Sequence, residues 1–437
     1  MEEDNLLFIG AILSIALGGL SLRLVRRNQT LAWNEAIAAH ILCLMFITKG
    51  IQNAATGYFN QATGMEWQFW VELGFSMDYI FSSSVLAIAL LYPVPILRNI
   101  KQVKIGLGLA GGLAAYRLTL DIVGLNFTVF GLPGLIYYAA AIIWGSVYFK
   151  FRLISPEKRN DSTKNISLLA GLFTTLVLGH IWMWWPGFVL QSEYFYYFDL
   201  GGGSFTSTLW DYMWMSGYSI GIAAGLAMVC TEIYQAINGQ SSKLLYIILP
   251  YFILGTVGFS IYTAYDDTGF VLNERSDILL IWSVFTTNLH FTIARPIIAM
   301  YILLKFGLFD INDETKPMAK MMSIILIVVA TSAILELVQA VIPINQMISA
   351  ALLGIIIAFG IGWEEKSFNN LVSNQAPLRD GVDKKWFPEI SIPRKYINRI
   401  DLACLVYCLI SLLVAFVIWE MDLLLQLVIE RGAENDI

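Results

Sequence analysis

Twelve apolar runs follow one another along this chain, separated by short polar links. They occupy 6–25, 32–52, 68–92, 105–124, 127–149, 165–190, 208–236, 244–264, 277–304, 321–341, 345–363 and 400–428. A helix needs about 20 mostly apolar residues to cross about 30 Å of hydrocarbon. In lipid, every backbone N–H and C=O must be satisfied without water, which helices do segment by segment. The runs therefore predict an all-α polytopic transmembrane bundle. Composition supports this: 57% of residues are hydrophobic and only 14% charged, against about 25% charged in a soluble domain. So few ionic groups could not clothe a soluble protein of 437 residues.

Charge in the links supplies the orientation. Arg23, Arg26 and Arg27 follow the first run; Arg98, Lys101 and Lys104 the third; Lys150, Arg152, Lys158, Arg159 and Lys164 the fifth. Lys243 follows the seventh, Lys305, Lys316 and Lys320 the ninth, and 364–399 carries Lys366, Arg379, Lys384, Lys385, Arg394, Lys395 and Arg399. Of the 27 basic residues, only Arg275 and Arg431 fall in the opposite links, while Lys49, Arg117 and Arg295 lie inside runs. Cytoplasmic loops carry the excess of Lys and Arg, so the alternation predicts twelve spans of a cell membrane with both termini outside. The acidic start MEEDNLLFIG lacks the positive region of a signal peptide, and the first run is read as a retained helix. The link 364–399 is shorter than the roughly 50 residues of a minimal domain. Its segment WFPEISIPRKYINRI reads either as an interfacial stretch or as an ordinary basic loop. In the first reading, Trp386 and Phe387 sit at headgroups while Arg394, Lys395 and Arg399 face anionic lipid.

Each charge inside a span costs about 2.5–3.5 kcal/mol on insertion scales, so each requires a partner or a purpose. Lys49, Glu72, Asp78, Arg117, Asp121, Asp211 and Glu336 all fall toward the outer ends of their runs. They form either a ligand site, with Lys49 and Arg117 facing an anionic group, or structural pairs such as Lys49–Glu72 and Arg117–Asp121. Arg295, followed by Pro296, lies nearer the cytoplasm. Proline frees a carbonyl one turn back, and the arginine can satisfy such carbonyls or pair with Glu232. His180 and His290 lie at similar depth, as a bis-histidine haem would need; hydrogen-bonded packing is the competing reading. The aromatic run 180–200 is placed at the outer interface. The chain has no catalytic, zinc-binding or phosphate-loop motif. Cys43, Cys230, Cys404 and Cys408 all lie in apolar runs and argue neither for a disulfide framework nor for a metal cage, and Cys404 and Cys408, on one helix face, read as packing residues.

Two stretches resemble a known family. ARPIIAMYILLKFGLFDI (294–311) is similar to the signature that closes the N-terminal seven-helix sensor region of prokaryotic sensor histidine kinases and related archaeal membrane proteins. The matching positions are Arg295, Pro296, Tyr301, Leu304, Lys305, Leu308, Phe309 and Asp310. ALLYPVP (89–95) resembles the Tyr-Pro that closes the third helix of such regions. The resemblance implies a receptor-like region over 1–314, with Arg295, Pro296, Phe309 and Asp310 at its signal exit, followed by an additional membrane region over 315–437. No kinase follows, since all three histidines, His40, His180 and His290, fall within runs. The expectation is thus a non-enzymatic, receptor-like or signal-transducing membrane protein without cofactor or metal. Its partners would be the bilayer, a small ligand and a protein docking on the basic loops 150–164 and 364–399, with nucleic acid excluded. A secondary transporter or channel is the alternative, and a haem-binding redox subunit a third reading.

Overall fold

The computed structural model describes residues 2–61, 66–122, 132–190, 209–268, 279, 282–283, 285–341, 368–370 and 375–435. Among them there is no strand. The principal helices are α1 (Glu2–Arg27), α2 (Trp33–Gln61), α3 (Glu66–Leu91), α4 (Ile100–Ile122), α5 (Leu132–Arg152) and α6 (Asp161–Trp182). There follow α7 (Trp185–Val189), α8 (Leu209–Ile237), α9 (Leu245–Thr268), a π-helical turn (Asn288–Ala294), α10 (Arg295–Lys305), α11 (Lys316–Val341) and α12 (Arg394–Asn435). A helix stands at every predicted run except 345–363, which lies outside the described residues. Among the described residues, seven segments are long and apolar enough to cross a membrane. They are Trp33–Ala55, Glu72–Leu91, Asp161–Trp182, Gly217–Ile237, Leu245–Ala264, Phe285–Lys305 and Arg394–Met421.

The chain divides into two compact units. Unit 1 comprises Met1–Ile88, Leu97–Pro133 and Glu389–Ile437; unit 2 comprises Ala89–Ile96 and Gly134–Pro388. Position 314, where the sequence reading divides the chain, falls inside unit 2.

In unit 1, α1 runs back along α2, and glycines set their spacing. A Cβ on Gly18 would stand 2.6 Å from Ile47 Cγ1 and 2.9 Å from the Cys43 carbonyl oxygen. On Gly50 it would meet Ile15 Cγ1 at 2.6 Å and the Ala11 carbonyl at 2.8 Å. Small residues permit such close backbone approach where lipid supplies no hydrophobic drive between helices. The α1–α2 link is fastened to α12: Arg394 Nη2 donates to Gln29 O (3.2 Å) and Leu31 O (2.8 Å). Arg26 donates through Nε (2.9 Å) and Nη2 to Asp401. Further along, Tyr407 Oη donates to Ser76 O (3.0 Å) on α3 and lies 3.3 Å from Ala114 O on α4. Arg394 is therefore engaged with backbone carbonyls, not simply displayed to headgroups as the interfacial reading expects. The outward side of α12 is apolar, with Leu402, Leu405, Leu409 and Leu413 exposed.

Unit 2 is organised around α6, most of which is buried. Asn160 starts it with a reciprocal cap: its Oδ1 accepts from Thr163 N (2.9 Å), and its own N–H reaches Thr163 Oγ1 (3.0 Å). The hydroxyls of Thr174 and Thr175 donate to the carbonyls of Ala170 and Gly171, both at 2.9 Å, so an apolar interior tolerates them. At the end of α6 and just past it, three tryptophans fan out to three neighbours. Trp182 donates its indole N–H to Gly221 O on α8 (3.1 Å), Trp184 to Thr286 Oγ1 (3.2 Å), and Trp185 to Phe252 O on α9 (3.1 Å). Trp182 and Trp184 are fully buried. Each of these indoles has found an acceptor within the unit, a use the interfacial-belt reading of 180–185 does not foresee; residues 191–208 lie outside the described set.

Candidate functional site

The local cause of the most irregular helix in unit 2 is Pro296. Proline has no N–H to give the carbonyl four residues back, and its ring crowds that carbonyl. The preceding turn widens, and Arg295 N–H bonds His290 O, five residues back. This one-residue expansion is how π turns arise inside α-helices, and they recur at functional positions.

The widened turn brings two polar side chains onto one atom of α6. Arg295 Nε donates to Leu176 O at 3.0 Å, and His290 Nε2 lies 3.2 Å from the same oxygen. A carbonyl only accepts, so His290 is protonated at Nε2, and Nδ1 accepts from the Tyr251 hydroxyl at 3.1 Å. His290 is wholly buried. Gly179 makes room for it: a Cβ there would stand 2.8 Å from His290 Cε1 and 3.0 Å from a Tyr251 ring carbon. The Arg295 guanidinium lies 4.4 Å from the Phe291 ring centre, a cation–π contact that shelters charge in an apolar setting. Phe291 is also 4.7 Å from the His180 ring and 5.0 Å from the His290 ring. His180 Nε2 sits 3.2 Å from Thr286 Oγ1, which also receives the Trp184 indole.

The two histidines expected at similar depth are indeed neighbours, with nearly parallel rings 6.2 Å apart between centres. Each has a ring nitrogen within hydrogen-bonding distance of a protein atom, Thr286 Oγ1 for His180 and Leu176 O for His290. His40 is separate from them, in unit 1, with Nδ1 2.7 Å from Ala36 O.

α10 carries this junction to the signature's end. Gly307, at φ +67°, takes the left-handed conformation that stops a helix, and Leu308 N–H closes back on Leu303 O at 3.2 Å. Leu308 and Phe309 are buried, and the Asp310 side chain is exposed. Asp310 O accepts from Thr315 Oγ1 (2.7 Å), and Asn312 Oδ1 accepts from Thr315 N (3.0 Å), starting α11 at once.

The proposed Arg295–Glu232 pairing is corrected. Glu232 accepts from Tyr148 Oη (2.7 Å) and Arg152 Nη2 (2.8 Å), while Arg295 takes a carbonyl of α6. Of the outer-end charges, Lys49 donates to Gln52 Oε1 at 2.8 Å, Glu72 is buried and Asp78 half-buried. Arg117, Asp121, Asp211 and Glu336 stand on α4, α8 and α11, with side chains outside the described set. Lys49, Glu72, Asp78, Arg117 and Asp121 belong to unit 1, Asp211 and Glu336 to unit 2.

Segment 375–388 folds onto unit 2 at the end that bears the basic links. Ala376 N–H donates to Lys305 O (2.8 Å), Asn165 to Pro377 O (2.9 Å) and Asn160 to Gly381 O (2.9 Å). Trp386 lies 4.4 Å under Lys150, and Arg379 4.8 Å over Phe387. These rings are engaged within the unit, a use the interfacial reading of 386–387 does not foresee. Asp383 caps the turn at Lys384–Trp386; the side-chain and backbone bonds from Lys385 hold its carboxyl below the usual range. Tyr251, Thr286 and the Leu176 carbonyl escape sequence reasoning because neutral groups inside apolar runs carry no signal there.

No family model matches this sequence, and neither a curated protein nor a solved structure matches it.

Proposed function

We propose that the chain is an integral, multi-pass cell-membrane protein that works as a receptor-like signal transducer, with twelve spans and both termini outside. A small ligand or a change in membrane state that shifts α6 biases the His290–Arg295 junction. α10 passes the bias to the Phe309–Asp310 exit, where a partner reads it. The carrying observation is that His290 and Arg295, at the π turn, both approach the one carbonyl of Leu176. π turns recur at functional positions, and in this reading the switch is a change in which donors reach Leu176 O when α6 shifts. The 294–311 resemblance supports the same reading. The outer-end charges stand as candidate ligand groups, each within its own unit: Asp211 and Glu336 in unit 2, and Lys49, Glu72, Asp78, Arg117 and Asp121 in unit 1.

The test places a spin label at Asp310→Cys in the full chain in lipid nanodiscs. Pro296→Ala restores the missing backbone donor, and Arg295→Met releases Leu176 O. Both are expected to change the label's mobility while Lys101→Gln, in unit 1, leaves it unchanged. Identical spectra in wild type and both variants would refute transmission along α10. A secondary transporter is the second reading, favoured by an interrupted helix bearing a buried histidine and a half-buried arginine, as at transporter sites. Gradient-driven solute flux into liposomes, lost in Arg295→Met, would select it.

A further inference from the structure

We propose that the cavity at the basic end of unit 2 binds a phosphate-bearing anion. It encloses about 380 Å³, within the roughly 300–1,000 Å³ of small-molecule sites. Four cations line it: Arg152, Lys164, Lys243 and Lys305, from α5, α6, the α8–α9 link and α10. The two carboxylates in the wall do not balance them. Glu232 is already occupied by Tyr148 and Arg152. Asp161 reaches only Lys164, at 3.3 Å, and both side chains are solvated, so that pair contributes little. Lys243 makes no hydrogen bond or ion pair with any described residue, and its charge repels that of Lys305. Arg152 is more than nine-tenths buried, yet all its bonds run through Nη2: to Glu232 Oε2 at 2.8 Å, Ser241 O at 2.9 Å and Ser242 Oγ at 3.3 Å. Its Nε is buried without an acceptor among the described residues. Like charges gathered in one concave site store repulsion that an anion relieves. The first two turns of α6 border the cavity through Asp161, Lys164 and Asn165, and a helix N-terminus adds partial positive charge there. Asn165, whose amide already gives one hydrogen to Pro377 O and has a second, and Gln375 also line the cavity. Several cations with amide donors fit a phosphate monoester or pyrophosphate, whose oxygens accept from many directions.

The same chemistry reaches the site from solution or as a lipid headgroup, and two probes separate these sources. The full chain in detergent is titrated with inorganic pyrophosphate by calorimetry and with dioctanoyl phosphatidic acid by native mass spectrometry. Pyrophosphate binding assigns a soluble ligand; binding of phosphatidic acid alone assigns a headgroup. In either case Lys243→Gln and Lys305→Gln are each expected to weaken binding about tenfold, the loss of one charge-assisted contact. Lys101→Gln is expected to leave binding unchanged. Removing one of two repelling charges is expected to leave the ligand-free melting temperature equal or raised, which separates lost binding from misfolding. Binding of neither probe, or equal binding by wild type and both lysine variants, overturns the proposal. The spin-label result at position 310 is independent of it.

Discussion

At the scale of single residues, Glu232 is the most demanding group described. It is 2% exposed, and each of its oxygens has a separate partner, Tyr148 Oη on one and Arg152 Nη2 on the other. A buried pair repays its desolvation only through good geometry, but removing one partner strands the other charge. Glu232→Gln is therefore expected to cost about 3–5 kcal/mol, seen as a lower melting temperature in detergent. Arg152→Met combined with Glu232→Leu should cost far less than Glu232→Gln alone, because no charge is left stranded. Equal melting of Glu232→Gln and wild type would mean the pair is open to water. The sequence marks Glu232 as a charge needing a partner. It does not say which, because Arg152 reads as one of several loop cations and Arg295 as the nearest charge at a matching depth. Pairing depends on the rotation of α5 and α8 about their axes, which a helix apolar on every side does not encode.

Among elements, the α1–α2 pair offers a sharper test, because adjacent glycines have opposite surroundings. A Cβ on Gly18 meets the Cys43 carbonyl at 2.9 Å, backbone that cannot rotate away, whereas nothing lies within 4 Å of one on Gly19. Gly18→Leu should force the helices apart and cost about 1–3 kcal/mol or more. Gly19→Leu should stay within about 0.5 kcal/mol of wild type. Thermal melting of the two purified variants checks this, and equal losses would show that α1 and α2 do not pack through that face. The existence of both helices is legible in the sequence, since apolar length alone predicts them. The π turn is not. Pro296 announces an interruption, but a kink, a 3₁₀ turn and a π turn all answer a missing donor. Only the carbonyl of Leu176, on a helix distant in sequence, gives the two donors of the wide form an acceptor.

For the whole molecule, apolar runs and loop charge predict a helical membrane bundle, and the seven qualifying helices agree with its coarse form. The division into units is not legible, because α12, last in the chain, packs with α2 and α4 of unit 1. α12 is apolar around most of its circumference, so its sequence offers no preferred face. Orientation, by contrast, rests on charge asymmetry alone and can be tested across one helix. α6 separates Glu157 from Leu190, and both of those residues are exposed. Ser162 would be a poor site, since it is 2% exposed and an introduced thiol would stay unreactive on either side. With Cys43, Cys230, Cys404 and Cys408 replaced by Ala, Leu190→Cys is expected to react with an impermeant maleimide on intact cells. Glu157→Cys should react only after permeabilisation. The reverse pattern would invert the bundle and put the phosphate cavity outside. Reaction of both on intact cells would mean that α6, the most deeply buried apolar helix, does not cross the membrane at all.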